Sequence, residues 1–307
     1  MNAVSTIIKI LEGDNIEPSP NAAAMCQKII TRHEGRVQAL LYYGSSLRAM
    51  NDPGKMLDFY VLVDSYRKTH KNPVRAFLNY LIPPAVYYLE NKNADGTLSV
   101  CKYSILSLSA FQKKTTSKAF LSMIWGRFSQ PCVLLFPTSD EVKYQIQNAR
   151  TQAILHVAKQ TAPLFDAPAT ARQFWSRGFF ESYQTEIRPE KSTTRSDEIV
   201  SRYQERYDGI SQTLFGPADQ DGKYNLPHST RMQKFWCRWK WLWRRILGKP
   251  LNAVRILNSA FTFDGGLDYI LRKVNNHSGV EINVSPSQKK HPILWSPILA
   301  WRLWRRG

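Results

Sequence analysis

Two short, continuous apolar runs, Val37–Tyr43 and Leu57–Val63, dominate the hydrophobic pattern of this chain. Runs of that length without polar alternation read as central strands of a sheet covered on both faces. Leu98–Ile105 and Val133–Phe136 read as further strands, with Lys114–Trp125 as a helix between them. Residues 21–34 read as an earlier helix, capped by Asn21, with Ala24, Cys26, Ile29 and Ile30 turned inward. From 146 to 212 the spacing is helical: Ile154, Val157 and Ala158 form one stripe, and Ile199, Tyr203 and Tyr207 another. Pro189–Ser196 reads as a polar loop, and Gly216–His228 as a loop or linker. The order predicts an α/β (α+β) chain: a mixed-sheet core over 1–145, a mainly helical second domain over 146–230, and a distinct C-terminal region over 231–307.

That last region changes character. Seven of the nine tryptophans lie from Trp236 onward, so aromatic content is concentrated where the globular pattern ends. Lys234–Lys249 carries six basic residues and no acid. On a helix, Phe235, Trp239, Leu242, Trp243, Ile246 and Leu247 share one face, and Arg238, Trp241 and Arg245 fall on another side. A second Trp/Arg segment follows, with Trp301, Trp304 and Arg305. Tryptophan with arginine favours the lipid headgroup boundary, where a half-apolar ring and a cation both find partners. The expectation is an amphipathic, membrane-binding C-terminal region that uses Trp236, Trp239, Trp243, Trp301, Trp304 and Arg305. The competing arrangement is a basic helix docked on the protein's own core.

Charge agrees with an anionic partner. The formal net charge is +18, from 42 basic and 24 acidic residues. The clustered tryptophans favour an anionic membrane surface over nucleic acid, which is not an expected partner. No apolar run approaches the ~18 residues of a membrane span. The N-terminus lacks the pattern of a signal or transit peptide. Cys26, Cys101, Cys132 and Cys237 are too scattered for a disulfide framework or zinc site. The expected location is cytoplasmic, peripheral on the inner face of a bacterial cell membrane.

The candidate chemistry sits between the first two strands. Leu41–Ser46 ends an apolar run in Gly44-Ser45-Ser46, and Met56–Asp64 opens the next run with Asp58. Small Gly and Ser residues admit a triphosphate close to the backbone. An acid on the following strand can hold the magnesium that bridges the phosphates. Tyr60 occupies the position that would complete an Asp-x-Asp pair. Asp64 lies about 20 Å along a straight strand from Asp58 and cannot share its metal.

Further blocks follow in a consistent order: Tyr43-Gly44-Ser45, Met56–Phe59 through Val63-Asp64, Ala85–Tyr88, Cys101–Ser107, Trp125–Val133, Ser182–Arg188, and Arg255 with Gly265 and Tyr269. In this the chain resembles the mitochondrial-type phosphatidate cytidylyltransferases, the CDP-diacylglycerol synthases of the translocator assembly and maintenance family. It departs from that pattern at Gln130, Glu186 and Ser259. The resemblance implies a nucleotidyltransferase-like core whose cleft the second domain completes. It also implies CTP and phosphatidate as substrates, with Mg2+ as cofactor. Asp58 and Lys102 would be the catalytic residues, with Asp58 the metal ligand. Gly44, Ser45, Ser46, Arg127, Tyr183 and Arg188 would bind nucleotide. Glu186 either joins that cluster or pairs with Arg188, and His70 is a minor candidate. The alternatives are a nucleotidyltransferase with another acceptor and a non-catalytic membrane-associated protein that retains the fold.

Overall fold

The computed structural model describes residues 2–48, 55–93, 96–187 and 192–262. In chain order the elements begin with α1 (Ala3–Glu12), α2 (Pro20–Arg32), β1 (Val37–Tyr43), α3 (Ser45–Arg48), β2 (Leu57–Val63), α4 (Tyr66–Thr69) and α5 (Pro73–Leu81). Next come β3 (Ala85–Lys92), β4 (Leu98–Ser107), α6 (Leu108–Thr115), α7 (Met123–Phe128), β5 (Val133–Pro137) and α8 (Asp140–Thr161). The remainder is β6 (Ala169–Thr170), α9 (Ala171–Tyr183), α10 (Ser192–Arg202), α11 (Gln204–Phe215), β7 (Lys223–Tyr224) and α12 (Arg231–Thr262).

Five strands form a mixed sheet in the order β3-β4-β2-β1-β5, parallel only between β2 and β4. Both central runs become strands with the bounds their apolar pattern predicts. The reason is cover on both faces. Leu57, Phe59, Val61 and Val63 pack with Met25, Cys26 and Ile29 of α2. Tyr60 and Leu62 face the other way, onto Phe111, Ile124, Phe128 and Ile146 of α6–α8. A third core joins α1, α8, α9, α11 and α12 through Ile7, Ile154, Trp175, Tyr207 and Trp241.

Several expectations need correction. Helix α2 starts at Pro20 and is capped by Ser19, whose Oγ accepts from the Ala22 N–H at 3.3 Å; Asn21 is not the cap. Ala24 is exposed, because the buried stripe runs through Ala22, Met25, Cys26 and Ile29. The helix expected over Lys114–Trp125 is two helices. Ser107 caps α6 early, and the Thr115 and Thr116 hydroxyls turn back onto the carbonyls of Phe111 and Lys113, ending it. Strand β4 runs on to Ser107, and α10 begins at Ser192, inside the stretch expected to be loop. The pattern did not reveal α1 or β3. Among the described residues, no helix is long and apolar enough to cross a membrane.

Helix α12 docks by its less apolar side. Cys237, Trp241 and Arg244 are buried, and the Trp241 Nε1–H donates to the Gln160 carbonyl at 3.1 Å. Arg244 is caged by Phe120, Trp125 and Trp241, its guanidinium carbon 5.3, 5.2 and 4.6 Å from the ring centres. It donates to the Phe120 carbonyl at 2.7 Å and to Gln160 Oε1 at 2.8 Å. The sequence stripe Phe235, Trp239, Leu242, Trp243, Ile246 and Leu247 therefore faces outward, together with Trp236.

His70 is buried in a polar network. Asn79 Oδ1 accepts from the Ala85 N–H at 2.7 Å, which turns the Asn79 amide nitrogen toward His70 Nε2 at 3.0 Å. Nδ1 then donates to Tyr87 Oη at 2.8 Å. Burial lowers the pKa of both His70 and His33 to about 4 from 6.5. The unfolded chain thus takes up protons before the folded one does. Stability is present above pH 6.5 and is lost as pH falls toward about 4. Urea midpoints at pH 7 and pH 5 check this: the lower pH should give the lower midpoint, and His70→Gln should reduce the difference.

Candidate active site

The strand register builds one end of the sheet into a cluster. Tyr43, the last residue of β1, lies opposite Asp58 in antiparallel register. Asp58 lies opposite Lys102 across the parallel β2–β4 pair. The Lys102 ammonium sits 3.1 Å from Asp58 Oδ1. Asp58 and Tyr60, two apart on β2, face the layer of α6–α8.

Gly44 closes the turn at φ 90°. A Cβ there would stand 2.7 Å from Asp58 Oδ2, so only glycine lets the turn lie against the carboxylate. Ser45 opens α3 and Ser46 is buried behind it. Gly44→Ala is expected to cost about 1–3 kcal/mol through the strained backbone and to displace Asp58. Denaturation, with wild type as reference, measures the first effect.

Arg127 comes from α7, which lies close to α9. A Cβ on Gly126 would overlap Ser182 Oγ at 2.1 Å, so this glycine sets the helix spacing. The Arg127 guanidinium donates to Tyr60 Oη at 3.0 Å, pairs with Glu186 Oε2 at 3.2 Å, and lies 5.5 Å from the Tyr43 ring centre. Burial opposes its charge, but Tyr60 and Glu186 together hold its pKa well above the ordinary arginine value. Tyr43 is pushed well above the usual phenol range, mainly by burial; Arg127 pulls it down and Asp58 pushes it further up. Arg255 of α12 donates to the Pro83 carbonyl at 2.9 Å and is lowered by burial, with Tyr60 and Glu186 opposing that shift. Asn252 accepts from the Ile187 N–H at 3.1 Å, so α12 also forms a wall beside Glu186.

Gly44, Ser45, Ser46, Asp58, Lys102 and Arg127 therefore gather at one end of the sheet. Tyr183 does not join them: it is buried in the helical core, its hydroxyl donating to Gln130 Oε1 at 2.9 Å. Glu186 pairs with Arg127 at 3.2 Å, a different partner from the Arg188 expected. Asp64 pairs with Arg36 at the far end of β2, 3.1 Å away. Arg188, Trp301, Trp304 and Arg305 lie outside the described residues. Tyr60, the break in the Asp-x-Asp spacing, is the residue whose role the pattern concealed. Its hydroxyl holds Arg127, a pairing across 67 residues that no local signal marks.

Among the described residues, no group of three or more His, Cys, Asp or Glu side chains gathers as a metal cage. Magnesium commonly binds through one or two carboxylates, with substrate phosphates and waters completing its shell. Asp58, its Oδ1 paired with Lys102 at 3.1 Å and its Oδ2 set against the Gly44 turn, is a carboxylate of the kind that limited role needs.

No protein-family model matches this chain, and no curated protein matches it.

Proposed function

We propose that this chain is a nucleotidyltransferase acting on a lipid phosphate at a membrane surface, with CTP and phosphatidate as substrates. The observation that carries the reading is the convergence of the Gly44 turn, Asp58 and Lys102 at one sheet end, with Arg127 behind them. A phosphate oxygen of phosphatidate attacks the α-phosphorus of CTP, the bond to the β-phosphate oxygen breaks, and pyrophosphate leaves. Little covalent work falls to the protein, so catalysis is positioning and charge neutralisation. The Gly44–Ser45 turn, with no Cβ at its glycine, lets the phosphates approach the backbone. Lys102 supplies a point charge to them, and in exchange releases part of the Asp58 carboxylate. Arg127, braced by Tyr60 and Glu186, fixes the cleft wall and adds charge. Bound through Asp58 and the phosphates, magnesium would neutralise the charge that develops on the leaving group.

The outward stripe of α12 supports the membrane part. Seven large apolar side chains from Phe235 to Leu247 are exposed, flanked by Lys234, Arg238, Lys240, Arg245 and Lys249. Each cation near an anionic surface contributes about 1 kcal/mol. Replacing Trp236, Trp239 and Trp243 together by Ser is expected to weaken binding to phosphatidate-containing vesicles about a hundredfold, with the melting temperature unchanged. Vesicle co-sedimentation checks it.

The direct test is transfer of label from α-phosphate-labelled CTP into phosphatidate vesicles with magnesium. Label in lipid, abolished by chelator, supports the reading. Firm vesicle binding without label favours a second reading, a membrane-binding protein that no longer turns over. The Asp58–Lys102 ion pair and the tyrosine at position 60 are the observations on its side.

A further inference from the structure

Helix α5 repeats the inversion seen in α12, on a different part of the chain. Its buried side is Ala76 and Asn79, and Asn79 ties it down through the Ala85 N–H and His70. Its opposite side is apolar and open: Val74, Phe77, Tyr80 and Leu81 are all exposed, Phe77 by 60% and Tyr80 by 72%. At 3.6 residues per turn these four share an arc of about 120°. A contiguous apolar patch of this kind, held out by the polar network that anchors the helix, marks an interaction surface.

The surround is cationic. From Ser65 to Leu89 the chain carries Arg67, Lys68, Lys71 and Arg75 and no acid. The helix packed on α5 is α4, whose Arg67 and Lys68 are exposed, as is Lys71 in the turn between them. The acids that flank this stretch are held elsewhere: Asp64 pairs with Arg36 at 3.1 Å, and Glu90 accepts from Tyr88 Oη at 2.7 Å. That pattern selects among occupants. A second copy of the chain, docked face to face, would bring the same cations together across a two-fold contact. The apolar stretch Ile293–Arg306 of the same chain carries three arginines and no acid, so it too brings like charge. An anionic bilayer complements both features: its headgroups take the cations and its acyl boundary takes the rings.

We infer that α5 is a second lipid-contact surface, seated with Phe77 and Tyr80 in the headgroup layer of an anionic bilayer. The inference rests on the membrane reading given above and extends it from α12 to the helix that leads into β3. A nine-residue helix holds a bilayer weakly alone, so α5 acts with α12 as two linked contacts. The link is direct: Arg255 of α12 donates to the carbonyl of Pro83, two residues past the end of α5. The test places a polarity-sensitive dye on Phe77→Cys in the full chain; the native cysteines, Cys26, Cys101, Cys132 and Cys237, are all buried, so the label goes to position 77. The vesicles are phosphatidylcholine with phosphatidylglycerol and contain no phosphatidate, which keeps the proposed reaction out of the readout. A blue shift on vesicle addition, quenched by brominated acyl chains, is expected at position 77 and not at Asp221→Cys, on an exposed polar turn. Phe77→Ser with Tyr80→Ser should weaken co-sedimentation at least about tenfold without lowering the melting temperature. Vesicle binding with a silent dye at 77, with an equal shift at 221, or with unchanged affinity in the serine variant would overturn the proposal and leave the α12 contact standing. No binding by the wild type would overturn both. A lower melting temperature in the serine variant would assign the face to the protein's own chain, and a dye shift that grows with protein concentration in the absence of vesicles would assign it to a second copy; either result overturns the proposal.

Discussion

Asp58→Asn is expected to reduce nucleotidyl transfer at least about a hundredfold while leaving fold and vesicle binding intact, since loss of one preorganised electrostatic group in a reaction centre has effects of that size. The substitution keeps the side-chain shape and removes the charge. Two consequences follow from the geometry. Lys102, 3.1 Å away, loses its partner. Magnesium, in the proposed reaction, loses its protein carboxylate. Neither loss should destabilise the chain much: the Lys102 side chain is 43% exposed, and ion pairs so open to water contribute at most about 1 kcal/mol. Label transfer, urea denaturation and vesicle co-sedimentation on one preparation separate the effects. Full activity in the variant would remove Asp58 from the mechanism, and with it the proposed site.

Asp14→Ala should cost the fold about 3–5 kcal/mol, because it strands two buried guanidiniums, Arg150 at 2.6 Å and Arg206 at 2.9 Å, beside each other without their carboxylate. The surface supplies the control. Arg172 and Asp197 form an ion pair of the same 2.6 Å length, but their side chains are 53% and 46% exposed. Asp197→Ala should therefore cost no more than about 1 kcal/mol. Urea midpoints of the two variants against wild type decide the matter. If Asp14→Ala costs as little as Asp197→Ala, the Asp14 cluster is better solvated than its burial indicates.

The central strands were legible because burial on both faces writes itself into sequence as an unbroken apolar run, closed at one end by Gly44. Asp58 was legible for the same reason, as a charge at the mouth of such a run. Strand β3 was not. It lies at the sheet edge, and its second half, Glu90-Asn91-Lys92, is polar, so no period survives along its length. The helix expected over Lys114–Trp125 failed where hydroxyls at 115 and 116 competed for backbone carbonyls. The orientation of α12 inverts the usual rule that the apolar face packs inward. Trp241 and Arg244 hold it to the core through ring stacking and carbonyl acceptors, which a hydrophobic pattern does not register. The Asp14 cluster joins positions 14, 150 and 206, and Tyr60 reaches Arg127 from another element; pairings so far apart leave no trace in local spacing.

One feature of α12 sets a dimension. Its 32 residues span about 48 Å of helix. The first half presents the outward tryptophans, and the second reaches Ile187, the residue after Glu186. A single helix thus works as a spacer. If its aromatic edge rests on a bilayer, the cluster is held at a set height above the lipid plane. An acceptor phosphate must then either rise to that height or be met there, and headgroup length becomes a selection criterion in its own right.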